Sequence, residues 1–376
     1  MNDSPSIKAD YRPFLDQVRW VAALVVAIGH ALAILNNYAN GSQIINYIAD
    51  MRGPAVCVFF VLSGYLVGGL VLRDFERFRF SSYSVARFSR IYIVLIPAIL
   101  LTLLLDGIAF HFYPSSPVYS KVWQGGALGD NLIFSRYGAA NITGSILSLE
   151  PLFGRPIGSA GSLWSLGYEW IFYFSFPLLW YAGYRFHGTR GGNIIVFLSV
   201  VGVFFVSKIG AAYWLIWLMG AYAYRIKLSA LLKSQRVEAA IKGVAFLAVL
   251  ALLIHGAQIS HQITIIGIGL FGFLFLSSNP FWEHRLVMRY DHVLAGFSYS
   301  LYVTHLQCLS FAAAVLYAVG LLPSSGIKSP LRVVVGATVL LIVAVAIAFA
   351  FGRVFESRTQ ALSRWLKARL MLPRSR

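Results

Sequence analysis

The chain has 376 residues, 58% of them hydrophobic and only 12% charged, too few charges to coat a soluble protein of this size. Its formal net charge of +17 comes mostly from short Lys/Arg clusters between apolar runs. That distribution orients a membrane protein; it is not the continuous basic face of a nucleic-acid binder.

The fold class that follows is all-α and polytopic, with about ten transmembrane helices. The apolar runs fall near 18–35, 54–72, 91–110, 163–183, 193–206, 211–224, 239–255, 262–278, 295–320 and 331–352. The first run follows a basic stretch but lacks a small-residue cleavage site and carries Asp16, Arg19 and His30 at or inside its edges. It reads as a first span and not as a cleaved signal. Cys57 and Cys308 lie inside apolar runs as small hydrophobes, with no disulfide framework and no metal-ligand spacing. With the N-terminus inside, inner segments hold 24 of the 31 Lys and Arg. The outer ones hold seven: Arg52, Lys121, Arg136, Arg155, Lys208, Lys328 and Arg332. Both termini are therefore expected on the cytoplasmic side. Residues 1–352 form one membrane-embedded domain, with a long outer connection at about 111–162 rich in Tyr, Ser, Gly and Pro. The tail at 353–376 mixes apolar and basic residues, as an interfacial helix on an anionic leaflet does.

Ionisable groups inside spans cost on the order of 2.5–3.5 kcal/mol on insertion scales, so they point to function. Arg19 and His30 are 11 residues apart, about three turns, and share one face about 16 Å apart along the axis. Asp16 lies one turn before Arg19, where it can orient the guanidinium. A snorkelling Arg and a packed His are the bland alternative; a mid-membrane His aligned with both charges favours function. Arg87 and Arg90, in ARFSRIY, project from one face. They suit a phosphate or pyrophosphate as well as an ordinary positive-inside anchor. In GSLWSLGYEWIFYF (161–174), Glu169 is either a buried acceptor or part of a site, and Trp164 fits an interfacial belt as readily as a sugar platform. In FSYSLYVTHLQ (297–307), Ser298, Tyr302 and His305 recur at four and three residues and share a face, with His305 near mid-depth.

Taken together and in order, these segments resemble the acyltransferase-3 family of integral membrane O-acyltransferases. FLDQVRWVAALVVAIGH supplies the family's Asp, Arg and His as Asp16, Arg19 and His30. FFVLSGYLVGG (59–69), Arg87-Phe88-Ser89-Arg90, Trp164-Ser165-Leu166 with Glu169, and Ser298 to His305 match its later motifs. Gln17 and Trp20 stand where Gly is common, GYEW replaces a Val-Glu-Glu pattern, and Val303-Thr304 replaces Leu-Trp. The resemblance implies transfer of an acyl group, most often acetyl, from cytoplasmic acyl-CoA to a hydroxyl of an outward-facing or lipid-linked carbohydrate. It also implies a bacterial inner membrane. In that reading His30 is the general base, with Arg19, Asp16 and Glu169 as its catalytic company. Arg87 and Arg90 bind the donor diphosphate, and Trp164, Ser298, Tyr302 and His305 meet the acceptor. Acyl-CoA, the carbohydrate and the bilayer are the expected partners; no resident cofactor, metal or nucleic acid is expected. The competing class is a transporter of a small solute or glycan, which uses intramembrane polar groups as a pathway. Acceptor identity, acyl length, oligomeric state and the choice between direct transfer and an acyl-enzyme relay are not written in these residues.

Overall fold

The computed structural model describes residues 12–36, 42–73, 78–120, 133–185, 210–232, 234–279, 286–322 and 329–370. Their secondary structure is helical throughout. In chain order the main helices are α1 (Arg12–Asn36), α2 (Gln43–Asp50), α3 (Arg52–Ser63), α4 (Gly69–Arg73) and α5 (Phe80–Phe112). There follow α6 (Ala139–Leu147), α7 (Glu150–Phe153), α8 (Trp164–Arg185), α9 (Ala211–Arg225) and α10 (Gln235–His255). The chain continues through α11 (His261–Ser277), α12 (Ser298–Ala318), α13 (Pro330–Val354) and α14 (Thr359–Leu370).

Among the described residues, six helical stretches are long and apolar enough to cross a bilayer. They are α1, α5, α10, α12, the stretch Gln43–Arg73 and the stretch Pro330–Leu370. Together they make this a multi-pass membrane protein. The expected run at 163–183 forms α8, whose many Trp and Tyr residues keep it out of that set. Those at 211–224 and 262–278 form helices of 15 and 17 residues, short of the ~20 of an ideal span. The run at 193–206 lies outside the described residues.

The described residues divide into two compact units. One lies within Met1–Ala22, Gly53–Phe80 and Tyr168–His292, the other within Ala23–Arg52, Ser81–Gly167 and Val293–Arg376. In the first unit, α3 runs through a π-helical turn (Gly64–Gly68) into α4. This stretch packs closely on α9. A Cβ at Gly64 or Gly220 would fall on the backbone of Trp217 or Val61, and one at Gly68 would meet Ala221 and Trp217. Lipid supplies no hydrophobic drive between spans, so backbone approach of this kind is what holds such helices together. Trp217, fully buried, donates its indole N–H to Ser63 Oγ at 3.1 Å. At the far end of α10, Glu238 accepts from the Asn279 backbone N–H at 2.7 Å and Lys242 donates to the Asn279 carbonyl at 2.7 Å. Both charges are buried yet hydrogen-bonded.

In the second unit α12 is the central helix, with residues from Ser298 to Ser310 almost continuously buried. Helix α13 packs on it through a stripe at four- and three-residue spacing: Val333, Ala337, Leu340, Ala344, Ala348 and Gly352. Its opposite face exposes Val335, Val339, Ile342 and Phe349, the surface that acyl chains would solvate. The N-terminal end of α12 is tied down by Glu356, just after α13, which accepts from Ser300 N at 2.9 Å and Ser300 Oγ at 2.8 Å. α14 buries none of its residues.

Candidate active site

The two mid-span histidines meet. His30, on α1, and His305, on α12, both belong to the second unit, and their ring centroids are 5.1 Å apart. His305 Nε2 lies 3.3 Å from His30 Nδ1. Each Nδ1 also faces a carbonyl one turn back, His30 to Val26 O at 2.9 Å and His305 to Leu301 O at 3.0 Å. A carbonyl only accepts, so in neutral rings both Nδ1 atoms carry the hydrogen. The His30 Nδ1–H is then shared between Val26 O and the lone pair of His305 Nε2. His30 Nε2 is left with its own lone pair, the arrangement a general base requires. His305 is fully buried while His30 keeps some accessible surface. The chain is tightly packed just before His30: a Cβ at Gly29 would stand 2.6 Å from Ala49 O and 2.9 Å from Arg52 Cβ.

Helix α1 is unbroken, so the charges before His30 ride on the same element. Within the first unit Arg19 Nη1 bonds Asp16 Oδ1 at 2.8 Å, the pairing expected from the spacing. Arg87 and Arg90 lie near the start of α5, in the second unit. Arg90 Nη2 stands 3.7 Å from Glu356 Oε1, and its guanidinium lies over Tyr299. Arg87 lies over Tyr83, and its buried Nε has no hydrogen-bond partner among the described residues. Of the two, Arg87 has the less committed charge.

Glu169 belongs to the first unit, at the end of a polar chain. Trp217 donates to Ser63, Ser63 to the Tyr173 hydroxyl at 3.0 Å, and Tyr173 to Glu169 Oε2 at 3.2 Å. In the second unit Tyr302 Oη is 2.5 Å from Ser165 Oγ, and its ring lies 5.9 Å from that of His305. Ser298 Oγ turns back to the Ala295 carbonyl at 2.9 Å, and Trp164 is half-buried at the start of α8.

An acyltransferase domain, acyltransferase 3, matches residues 12–352. The chain belongs to the acyltransferase-3 family. No curated protein and no solved structure matches it.

Three residues of this acyltransferase that the sequence did not single out as site residues lie on or against the connection between α5 and α8. Asp106, near the end of α5, accepts four hydrogen bonds: from Tyr119 Oη at 2.9 Å, Tyr137 Oη at 2.5 Å, Ser159 N at 2.8 Å and Ser159 Oγ at 2.6 Å. Burial, then the Asp106 carboxylate, raises both phenols above their ordinary range. Gly158 sits there with φ of +50°, and a side chain on it would strike Asp106 and Tyr137. Glu150, on α7, is 1% exposed, and neither carboxylate oxygen has a hydrogen-bond partner among the described residues. Burial pushes its carboxyl up to about 8; Ser145 is near enough to oppose this but is not in hydrogen-bonding geometry. Arg136, in a 3-10 turn (Ile133–Tyr137), is 4% exposed. Burial and then Arg155 pull its guanidinium down to about 10, Asp106 opposing, so it remains a cation at neutral pH. No sequence periodicity marks Glu150 or Arg136, because both lie on helical turns of four or five residues, too short to repeat a face.

Proposed function

We propose that this acyltransferase moves an acyl group, acetyl foremost, from cytoplasmic acyl-CoA to a hydroxyl of a surface or lipid-linked carbohydrate. It does so across a bacterial inner membrane, through about ten spans with both termini inside. Family membership supports the reaction class, and the Lys/Arg bias supports the orientation. The observation that carries the mechanism is the His30–His305 contact.

In this reading His30 Nε2 takes the proton of the acceptor hydroxyl as its oxygen attacks the thioester carbonyl. The C–O bond forms, the C–S bond breaks, and the proton passes from the imidazolium to the departing CoA thiolate. His305 is a positioning residue: its Nε2 accepts from His30 Nδ1 and steadies the imidazolium while it lasts. Arg87 and Arg90 meet the donor diphosphate, Arg90 with Glu356 as its resting counter-ion. Arg19, oriented by Asp16, supports negative charge on the donor, and Glu169 orients either His30 or the sugar. Trp164, Ser298 and Tyr302 shape the acceptor side.

The test compares ester-linked acetyl on surface glycans from cells carrying wild type, no protein, His30→Ala or His305→Asn. His30→Ala should lower transfer by ~10²–10⁴-fold, the usual worth of a general base. His305→Asn should lower kcat with KM for both substrates unchanged. Full acylation with His30→Ala would remove the base. A change in acceptor KM alone with His305→Asn would make His305 a binding group.

A further inference from the structure

A buried guanidinium without a counter-ion is costly, and among the described residues Arg136 is one. Among the described residues it makes no ion pair within 4 Å, and its buried Nε has no hydrogen-bond partner. The charges that act on it are Asp106 and Arg155, of opposite sign. Asp106 is already committed to four other donors, and Arg155 adds positive charge. Elsewhere in the protein buried charges such as Glu238 and Lys242 are satisfied, so the vacancy at Arg136 is local.

The guanidinium is placed against the start of a helix. Its Nη1 lies 3.6 Å from where a Cβ on Gly161 would stand. Gly161 opens the 3-10 turn (Gly161–Leu163) that leads into the 22-residue α8, and the preceding Ala160 gives no side-chain cap. The start of this helical segment, the positive end of its dipole, is therefore close to the guanidinium. The turn is fixed on α12 by Ser162 Oγ donating to Tyr302 O at 3.4 Å and by the Ser165–Tyr302 hydroxyl contact. Leu306 Cδ2 lies 3.1 Å from the same Cβ position on Gly161, and Leu306 follows His305 in the chain.

We propose that Arg136 and the N-terminal turn of α8 form an oxyanion-binding subsite for a carboxylate or phosphate carried by the acceptor. A planar guanidinium matches two oxygens of either group, and the helix start supplies further donors. The proposal rests on the acyl-transfer reading and narrows its acceptor to an acidic or phosphorylated sugar held beside the histidine pair.

The experiment uses the full chain in detergent micelles and measures binding of sodium glucuronate, glucose 6-phosphate and glucose at constant ionic strength. Wild type should bind one anionic sugar at least tenfold more tightly than glucose, and which one it prefers separates carboxylate from phosphate. Arg136→Gln should erase the preference, Arg136→Lys should keep part of it, and Arg155→Gln should retain it. No preference in wild type, or the same preference in Arg136→Gln, overturns the subsite. If Arg136→Gln does not fold, an undiminished preference in Arg136→Lys overturns the bidentate contact. Because binding is read without turnover, loss of the subsite with His30-dependent transfer intact leaves the reaction standing. Anion preference without any transfer overturns the reaction alone.

Discussion

Replacing Glu150 by Gln should make the acyltransferase more stable in alkali while changing little in mild acid. The carboxyl is 1% exposed and neither oxygen has a hydrogen-bond partner among the described residues, so the fold favours its neutral form and raises its pKa from 4.5 to about 8. The folded state then holds a proton that the unfolded chain has lost between those two values. Stability must fall as pH rises through this window and level off above it. The shift corresponds to roughly 3 kcal/mol lost by pH 7 and roughly 5 kcal/mol by pH 9, as upper figures for a site with some relaxation. Gln has the shape of the neutral acid and nothing to ionise. Thermal unfolding of wild type and Glu150→Gln in the same micelles from pH 5 to 9 reads the difference directly. The curves should lie together near pH 5 and separate progressively above it, the variant remaining the more stable. Parallel curves over the whole range would show that Glu150 is solvated or paired in the folded protein, and the reasoning from burial would fail.

Asp106→Asn should loosen the connection between α5 and α8, since one charged acceptor serves four donors there, and a hydrogen bond to a charged group contributes about 1.5–3 kcal/mol net. Faster tryptic cleavage at Arg136 or Arg155 in intact vesicles checks it; an unchanged digestion rate would mean that packing alone holds the segment. Glu356→Gln keeps an acceptor for Ser300 but removes the charge facing Arg90. If Arg90 meets the donor diphosphate, KM for acyl-CoA should fall several-fold at low salt; an unchanged KM would separate Arg90 from the donor.

Much of this protein was legible in one dimension because a bilayer imposes a simple code. Long apolar runs must be helices, since only a helix satisfies its own backbone in lipid, and six of the expected runs are helices of spanning length. The Asp16–Arg19 pair was legible for the same local reason, because i, i+3 neighbours on one helix must be close. Each histidine could be placed near mid-depth by counting residues. That the two face each other, and that their carbonyl contacts leave the lone pair on His30 Nε2, was decided only when α1 and α12 packed. Period-based reasoning carries no information between elements 275 residues apart. Asp106 was visible as a carboxylate inside a span, but its four donors come from the connection that follows it. Glu150 and Arg136 were invisible, because helical turns this short have no repeating face and their burial depends on what they fold against. The sequence by itself determined the solvent, the helices and the polar residues each helix carries. Tertiary packing decided which of those residues are neutralised by a neighbour, as Arg90 is by Glu356, and which, like Arg136, have no ion-pair partner among the described residues.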